Sequence, residues 1–371
     1  MLLKKSLKSE DYTSRMTHNY EDLATPYIDG WTPCNDEMEK LKLQLQHLQR
    51  ENENLKKKTL CLSSYKDNEV NFHYMTNLPN YNTFEVLAMF LHRRCDGGLN
   101  YWRHQQSCNN TRRSIKKPGK ERTLNFQEEL FLVLVRLKRG MELRDMHLRT
   151  GVSVSTLSRI FTTWIDFMNN ELTAYFEMVA VDLSHVQTMP CMAPFPEVTI
   201  TLDCTELFSQ RSMDLQVRKE TFSNYKHHDT VKLLVGMGPR QAVNFVSAAL
   251  GGRATDKHIT LNSEKLMSNL APGSSAMADR GFLATEELRS LGVKMIMPHF
   301  KGRDRPQFSA TEAWRSAQIS SARIHIERVI QRIKTFHILE NSIRMDQKDM
   351  IEQTFRVCSY LVNLQRPILN D

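Results

Sequence analysis

Thr199-Ile-Thr-Leu-Asp203-Cys-Thr-Glu206 is the stretch on which the reading of this chain turns. Its apolar and β-branched residues run straight into an acid, the pattern of a buried strand that stops at a carboxylate. Asp279 ends a second short apolar run, Ser275-Ala-Met-Ala-Asp-Arg-Gly-Phe282. Glu327 lies in Ala322-Arg-Ile-His-Ile-Glu-Arg-Val-Ile330, which reads as a helix. Two acids at strand ends and one on a late helix can converge to hold hard divalent cations, and carboxylate oxygens suit Mg²⁺ or Mn²⁺. Two such ions about 3.5–4 Å apart activate a water and stabilise the leaving oxygen of a phosphodiester.

Working outward, a chain of 371 residues has room for two or three domains. Its net charge of +8 favours polyanionic partners, although many basic proteins bind none. The seven cysteines are scattered and form no Cys-x-x-Cys pair, which argues against a disulfide framework or a cysteine-based zinc site and fits a reducing compartment. No apolar run approaches the ~18 residues of a transmembrane span, so no membrane partner is expected. The first residues, Met-Leu-Leu-Lys-Lys-Ser, lack the apolar core of a secretory signal.

Residues 1–35 have no period and read as mostly disordered. From 36 to 62, Met38, Leu41, Leu45, Leu48, Asn52, Leu55, Thr59 and Leu62 alternate at spacings of three and four. That is a heptad pattern with one Asn at an a position, which suits a two-stranded coiled coil and hence a homodimer. A single amphipathic helix packed on its own chain fits the same pattern. Residues 68–110 read as a small helical segment. The run 111–122 is rich in Lys and Arg, including Arg112, Arg113, Lys116 and Lys117. It reads as a phosphate-contacting arm or a nuclear-import signal, with a solvated linker as the bland reading.

Three helices are expected next, Phe126 to Arg139, Leu143 to Thr150, and one capped by Ser153 or Ser155. Helix, Gly-containing turn, helix is the spacing of a helix-turn-helix, which places this DNA-binding unit at 111–176. The third helix would then enter the major groove of double-stranded DNA with Ser155, Thr156, Ser158 and Arg159 near its exposed start. An ordinary three-helix bundle is the alternative.

A Pro-rich break at 189–196 opens the last region, 197–368. Strands are expected at 198–207, 231–238 and 242–250, then a helix at 256–270, a strand at 275–279, a helix at 284–291, a strand at 293–298 and a long helix at about 311–336. Three strands followed by αβαβα give an α/β fold, a mixed sheet with flanking helices, which is the layout of an RNase H-like domain. In it the first and fourth strands adjoin, which sets Asp203 beside Asp279. Other acids compete for the same role. Glu206 follows closely, Asp229 lies in a polar loop, and Asp256 sits where an acid caps a helix start.

Five motifs occur in order: Leu202-Asp-Cys-Thr-Glu206, Phe222-Ser-Asn-Tyr-Lys-His-His-Asp-Thr-Val-Lys232, Gly251-Gly-Arg-Ala-Thr-Asp-Lys257, Ala278-Asp-Arg-Gly-Phe282 and Arg323-Ile-His-Ile-Glu-Arg-Val-Ile-Gln-Arg-Ile-Lys334. Together they resemble the DDE endonuclease domain of PIF/Harbinger-type transposases, and residues 123–170 are similar to the helix-turn-helix domain often fused before it. The resemblance implies an RNase H-like fold and a catalytic, metal-binding Asp-Asp-Glu that falls on Asp203, Asp279 and Glu327. The cysteine-histidine zinc finger that many relatives carry at the N-terminus has no ligand set here.

The expected function is a metal-dependent DNA endonuclease or transposase acting at the ends of a mobile element, or a domesticated copy, in the nucleus. A separate DNA-binding partner protein is compatible with it. Arg323, Arg328, Arg332 and Lys334, together with Lys226 and Lys232, are expected to contact backbone phosphate. His227, His228 and His325 are read as DNA or structural contacts, because imidazole suits Mg²⁺ poorly. The rival is a non-catalytic, sequence-specific DNA-binding regulator derived from a transposase. A host nuclease of RNase H type is a third option.

Overall fold

The computed structural model describes residues 33–58, 60–95, 99, 124–177, 189–270, 272–282, 284–300, 307–340, 342–343 and 348–366. The expected basic arm, with Arg112, Arg113, Lys116 and Lys117, lies outside them, as does the N-terminal stretch through residue 32. The chain divides into two units, Met1–Lys56 and Lys57–Asp371.

In the first unit a helix, α1 (Pro33–Lys58), begins slightly before the expected Asp36. Met38, Leu41, Leu45 and Leu48 are exposed along it. The heptad does not reach Leu62 as expected: α1 ends at Lys58, and Leu62 opens a separate 3-10 turn, where it is buried.

The second unit starts with α2 (Glu69–Thr76) and α3 (Tyr81–Arg94), capped by the side chains of Asn68 and Asn80. α4 (Phe126–Arg139) opens on a capping box between Asn125 and Glu128 and stops at Gly140. α5 (Leu143–Thr150) stops at Gly151, again in the left-handed conformation, and α6 (Val154–Phe176) follows. Ser153, not Ser155, caps α6: its hydroxyl accepts the Thr156 amide at 3.2 Å. Trp164 of α6 is fully buried and donates its indole N–H to the buried Glu129 of α4 at 3.1 Å. This buried pair ties the two helices at one angle.

Then come β1 (Val198–Phe208), α7 (Leu215–Thr221), β2 (Phe222–Ser223) and β3 (His228–Met237). β4 (Val243–Val246), β5 (Leu250–Gly251), α8 (Asp256–Leu261), α9 (Glu264–Asn269), β6 (Ser275–Met277), α10 (Thr285–Ser290) and β7 (Lys294–Ile296) follow. The long α11 (Ala310–Lys334) and α12 (Lys348–Val362) complete the order. The sheet runs β2-β3-β1-β6-β7, with β4 and β5 also paired to β3. β1 is antiparallel to β3 and parallel to β6, so the sheet is mixed and β1 adjoins β6 as expected.

Local chemistry explains two departures from the expected elements. The strand expected at 242–250 is broken because the Ser247 hydroxyl takes the Leu234 amide that a strand carbonyl would otherwise receive. The helix expected at 256–270 is two short helices, interrupted where the Ser263 hydroxyl donates back to the Ile259 carbonyl.

Strand alternation gives the sheet two covered faces. Leu207, Leu233, Val235 and Met277 belong to a core shared with α4, α6, α11 and α12. Ile200, Leu202, Leu234 and Ala276 belong to a second core under α8, α9 and α10. The C-terminal half of α6 packs on α12, with Phe176 stacked on Tyr360 and Gln353 donating to Asp166. The expected recognition helix is therefore rooted in the same core as the sheet.

Candidate active site

Side chains on a strand alternate between faces, so Asp203 points away from Cys204 and Glu206. Asp203 and Asp279 lie toward the α11 side, Asp279 just beyond the end of β6. Glu327 comes from α11, and Arg323 stands one helical turn before it. Arg323 is buried, and its guanidinium joins the acids: Nη1 donates to Asp279 Oδ1 at 3.1 Å, and Nη2 lies 3.7 Å from Glu327 Oε1. Asp203 lies in the same field. Burial pushes its carboxyl up to about 6, with Arg323 and the Cys204 amide pulling down and the Glu327 and Asp279 charges pushing up further. That amide donates to Asp203 Oδ1 at 3.0 Å.

Arg323 thus contacts two of the expected acids, Asp279 and Glu327, while Asp203 feels the same guanidinium without a direct bond to it. Among the described residues, no three acid, His or Cys side chains stand close enough together to hold a metal ion. The chemistry of the donors suits one: Asp279 and Glu327 are hard carboxylates that share one guanidinium, and Asp203, its carboxyl raised mainly by burial, lies in the same field.

Two of the residues expected at phosphate, Arg323 and Lys232, are placed among acids. Arg323 is buried and committed to carboxylates, so it does not face DNA in this conformation. Lys232 is paired in register with Glu206 on β1 and lies between Glu206 at 3.7 Å and Asp256 at 3.1 Å, on the sheet's other face. Lys226 and Arg328 are exposed, and the Lys226 ammonium lies over the Tyr225 ring. Arg332 is half-buried and donates to the Arg366 carbonyl at 2.6 Å. Lys334 is half-buried, and burial and then Lys226 lower its pKa against the pull of Glu206 and Asp203. Ser155, Thr156, Ser158 and Arg159 are exposed on the first turns of α6, the Ser155 and Thr156 hydroxyls bonding to Ser153.

His227 and His228 are exposed, whereas His325 is buried and its pKa lowered by burial, so His325 is structural. Asp256 is not the cap of α8. Thr255 caps it, accepting the His258 amide, and Asp256 in the first turn answers Lys232. Cys204 is partly buried and bonded to Asp256, and burial pushes its thiol well up, so it is unreactive. The linking role of Arg323 escaped the sequence reading, although the four-residue Arg323–Glu327 spacing on a helix was its available signal.

Comparison with known proteins adds two matches. Residues 122–174 match the family described as helix-turn-helix of DDE superfamily endonuclease. Residues 202–363 match the family described as DDE superfamily endonuclease. No curated protein matches the chain. The two matches, in this order, cover α4, α5 and nearly all of α6, then the sheet from Leu202 in β1 onward with α11 and α12.

Proposed function

Because the chain carries a DDE superfamily endonuclease domain behind that superfamily's helix-turn-helix, we propose that it is a metal-dependent DNA endonuclease of transposase type, from a Harbinger-like element or a domesticated copy. The observation that carries this reading is that Asp279 and Glu327 share the Arg323 guanidinium, with Asp203 in the electrostatic field of all three. We read the mixed sheet as RNase H-like. The three acids would hold two divalent ions, Mg²⁺ or Mn²⁺, which when bound supply an activated water and stabilise charge on the phosphodiester oxygens.

The chain's own residues do the rest. Arg323 keeps Asp279 and Glu327 from repelling each other while no other cation is present. The exposed start of α6 reads duplex DNA in the major groove, and Arg328 meets backbone phosphate. The leucines along α1 pair with those of a second copy, giving a homodimer. DNA as substrate puts the protein in the nucleus.

One observation favours the rival, a DNA-binding regulator: Arg323 already occupies two of the acids, as a permanent pair in a relic would. The test is cleavage of DNA bearing candidate element ends. Wild-type protein should nick it with Mg²⁺ or Mn²⁺ but hardly with Ca²⁺, whose looser geometry misplaces the water. Asp203→Asn, Asp279→Asn and Glu327→Gln should each abolish nicking and leave duplex binding intact. Wild-type protein that binds but never nicks would hand the function to the regulator reading.

A further inference from the structure

At the far end of the β1–β3 ladder, away from the carboxylates, the segment between these strands folds over a cavity of about 660 Å³. Arg211, Arg218, Lys219 and Arg253 line it with His227 and His228. Among the described residues, none of the four Arg and Lys side chains has a hydrogen bond or ion pair. The one acid in the lining, Asp229, is buried and accepts the Thr221 hydroxyl at 2.8 Å. Four uncompensated cations around one concavity are a standing attraction for phosphate.

The backbone is specialised to assemble this cavity. A Cβ on Gly251 would fall 2.3 Å from the Glu220 carbonyl oxygen, and one on Gly252 would fall 1.9 Å from the Thr230 hydroxyl. Only glycine allows that approach, and it lets the Arg253 amide bond the Glu220 carbonyl at 3.1 Å, bringing Arg253 against α7. His227 holds a φ of 53°, a left-handed conformation costly for a residue with a side chain, in the turn that leads into His228 at the start of β3. Aromatic surface completes the site: Phe222 in the lining is 42% exposed and Tyr225 beside it is 80% exposed.

We propose that this cavity is a second nucleic-acid site, which takes a single-stranded segment of the DNA that the carboxylates process. Cationic walls for the backbone and exposed rings for the bases are the chemistry of single-strand binding. A concavity of this size encloses a nucleotide or two, whereas a duplex needs a groove-filling element such as α6. The cavity is also connected to the carboxylates. The Phe208 ring at the end of β1, the strand that carries Asp203, meets His228 edge-on. Asp203 to Phe208 along β1 is about 17 Å at ~3.3 Å per residue, roughly the axial length of five nucleotides.

The inference rests on the DNA-processing reading, but its test is independent of cleavage. Binding of the full chain is measured in EDTA to labelled dT15, to a 15-base-pair duplex and to thymidine monophosphate. Arg218→Ala combined with Arg253→Ala should weaken dT15 at least about tenfold and flatten its salt dependence by about 1.4 in log–log slope, two lost contacts at ~0.7 each. The Arg218→Lys, Arg253→Lys pair should keep most of the affinity. Phe222→Ala should weaken dT15 by about five- to a hundredfold without changing the salt slope. Duplex binding should stay within about twofold in all variants, because it runs through α6. The proposal is overturned if dT15 binding is unchanged, if duplex binding falls in parallel, or if the mononucleotide binds as tightly as dT15. None of these results bears on whether the acids cleave DNA.

Discussion

Glu206 and Asp203 hang from opposite faces of the same strand, and their surroundings differ. Glu206 is 9% exposed, accepts the Thr230 hydroxyl at 2.9 Å and faces Lys232. Burial works against the charge on Lys232, but Asp256 and Glu206 outweigh it and hold the ammonium above its ordinary pKa. That face is closed on itself. On the other face Asp279 and Glu327 are 59% and 54% exposed, one guanidinium serves both, and Asp203 is pushed up to about 6. Residue type and strand position do not separate the two sets; the supply of cations does. Glu206 arrives with its own hydrogen bond and ammonium, as a structural acid does, whereas Asp279 and Glu327 share one guanidinium and stand open to solvent, as the proposed metal ligands would.

The largest contrast is expected in rate. Asp279→Asn and Glu327→Gln should lower single-turnover nicking by at least about 10³-fold, because ligands acting as a unit fail together. Glu206→Gln and Asp256→Asn should stay within about tenfold of wild type, since Thr255 and not Asp256 caps α8.

A second contrast lies in stability against pH. The folded pKa of Asp203 is raised, so the folded state binds its proton more tightly than the unfolded chain does. The stability this confers is full below pH 3.8 and is lost as pH rises to about 6. Asp203→Asn should therefore stabilise the metal-free protein by about 2–3 kcal/mol at pH 7 and by little near pH 3.5. Urea unfolding in EDTA across that range measures it, and a gain independent of pH would contradict it.

Arg323→Met should cost about 1–2 kcal/mol in EDTA, at the low end for a broken pair because its partners are half in water. Added Mn²⁺ should then raise the melting temperature of the variant more than that of wild type. The smallest effect is Glu206→Gln, about 1 kcal/mol from a weakened charge-assisted bond, with the melting response to Mn²⁺ unchanged.

The sheet face of the site was legible because strand alternation is strict: once β1 and β6 adjoin, Asp203 and Asp279 share a side. The choice of these acids over Glu206 and Asp256 was not legible from spacing and came through family resemblance. What separates them is which cation each meets, and Lys232 and Arg323 look alike in sequence as bases near an acid. The register pairing of Glu206 with Lys232 becomes visible only when β1 and β3 are aligned. The broken strand at 247–249 was hidden because one serine hydroxyl outcompeted a ladder bond. The basic cavity was hidden for another reason: Arg253 is distant in sequence from Arg218 and joins it in one lining because two glycines let the backbones at 220–221 and 251–253 touch. The heptad leucines were readable as a period, but the end of α1 at Lys58 was not, since Leu62 continues the pattern while belonging to another core.

The most direct test of the contrast between the two faces is a calorimetric titration of Mn²⁺ into the full chain without DNA, at a pH above 7, with Asp279→Asn and Asp256→Asn run alongside. Wild-type protein and Asp256→Asn should bind the ion with the same affinity and stoichiometry, and Asp279→Asn should lose at least one site. Equal binding by wild type and Asp279→Asn, or loss of binding in Asp256→Asn, would contradict the assignment of the cation-poor face as the metal centre.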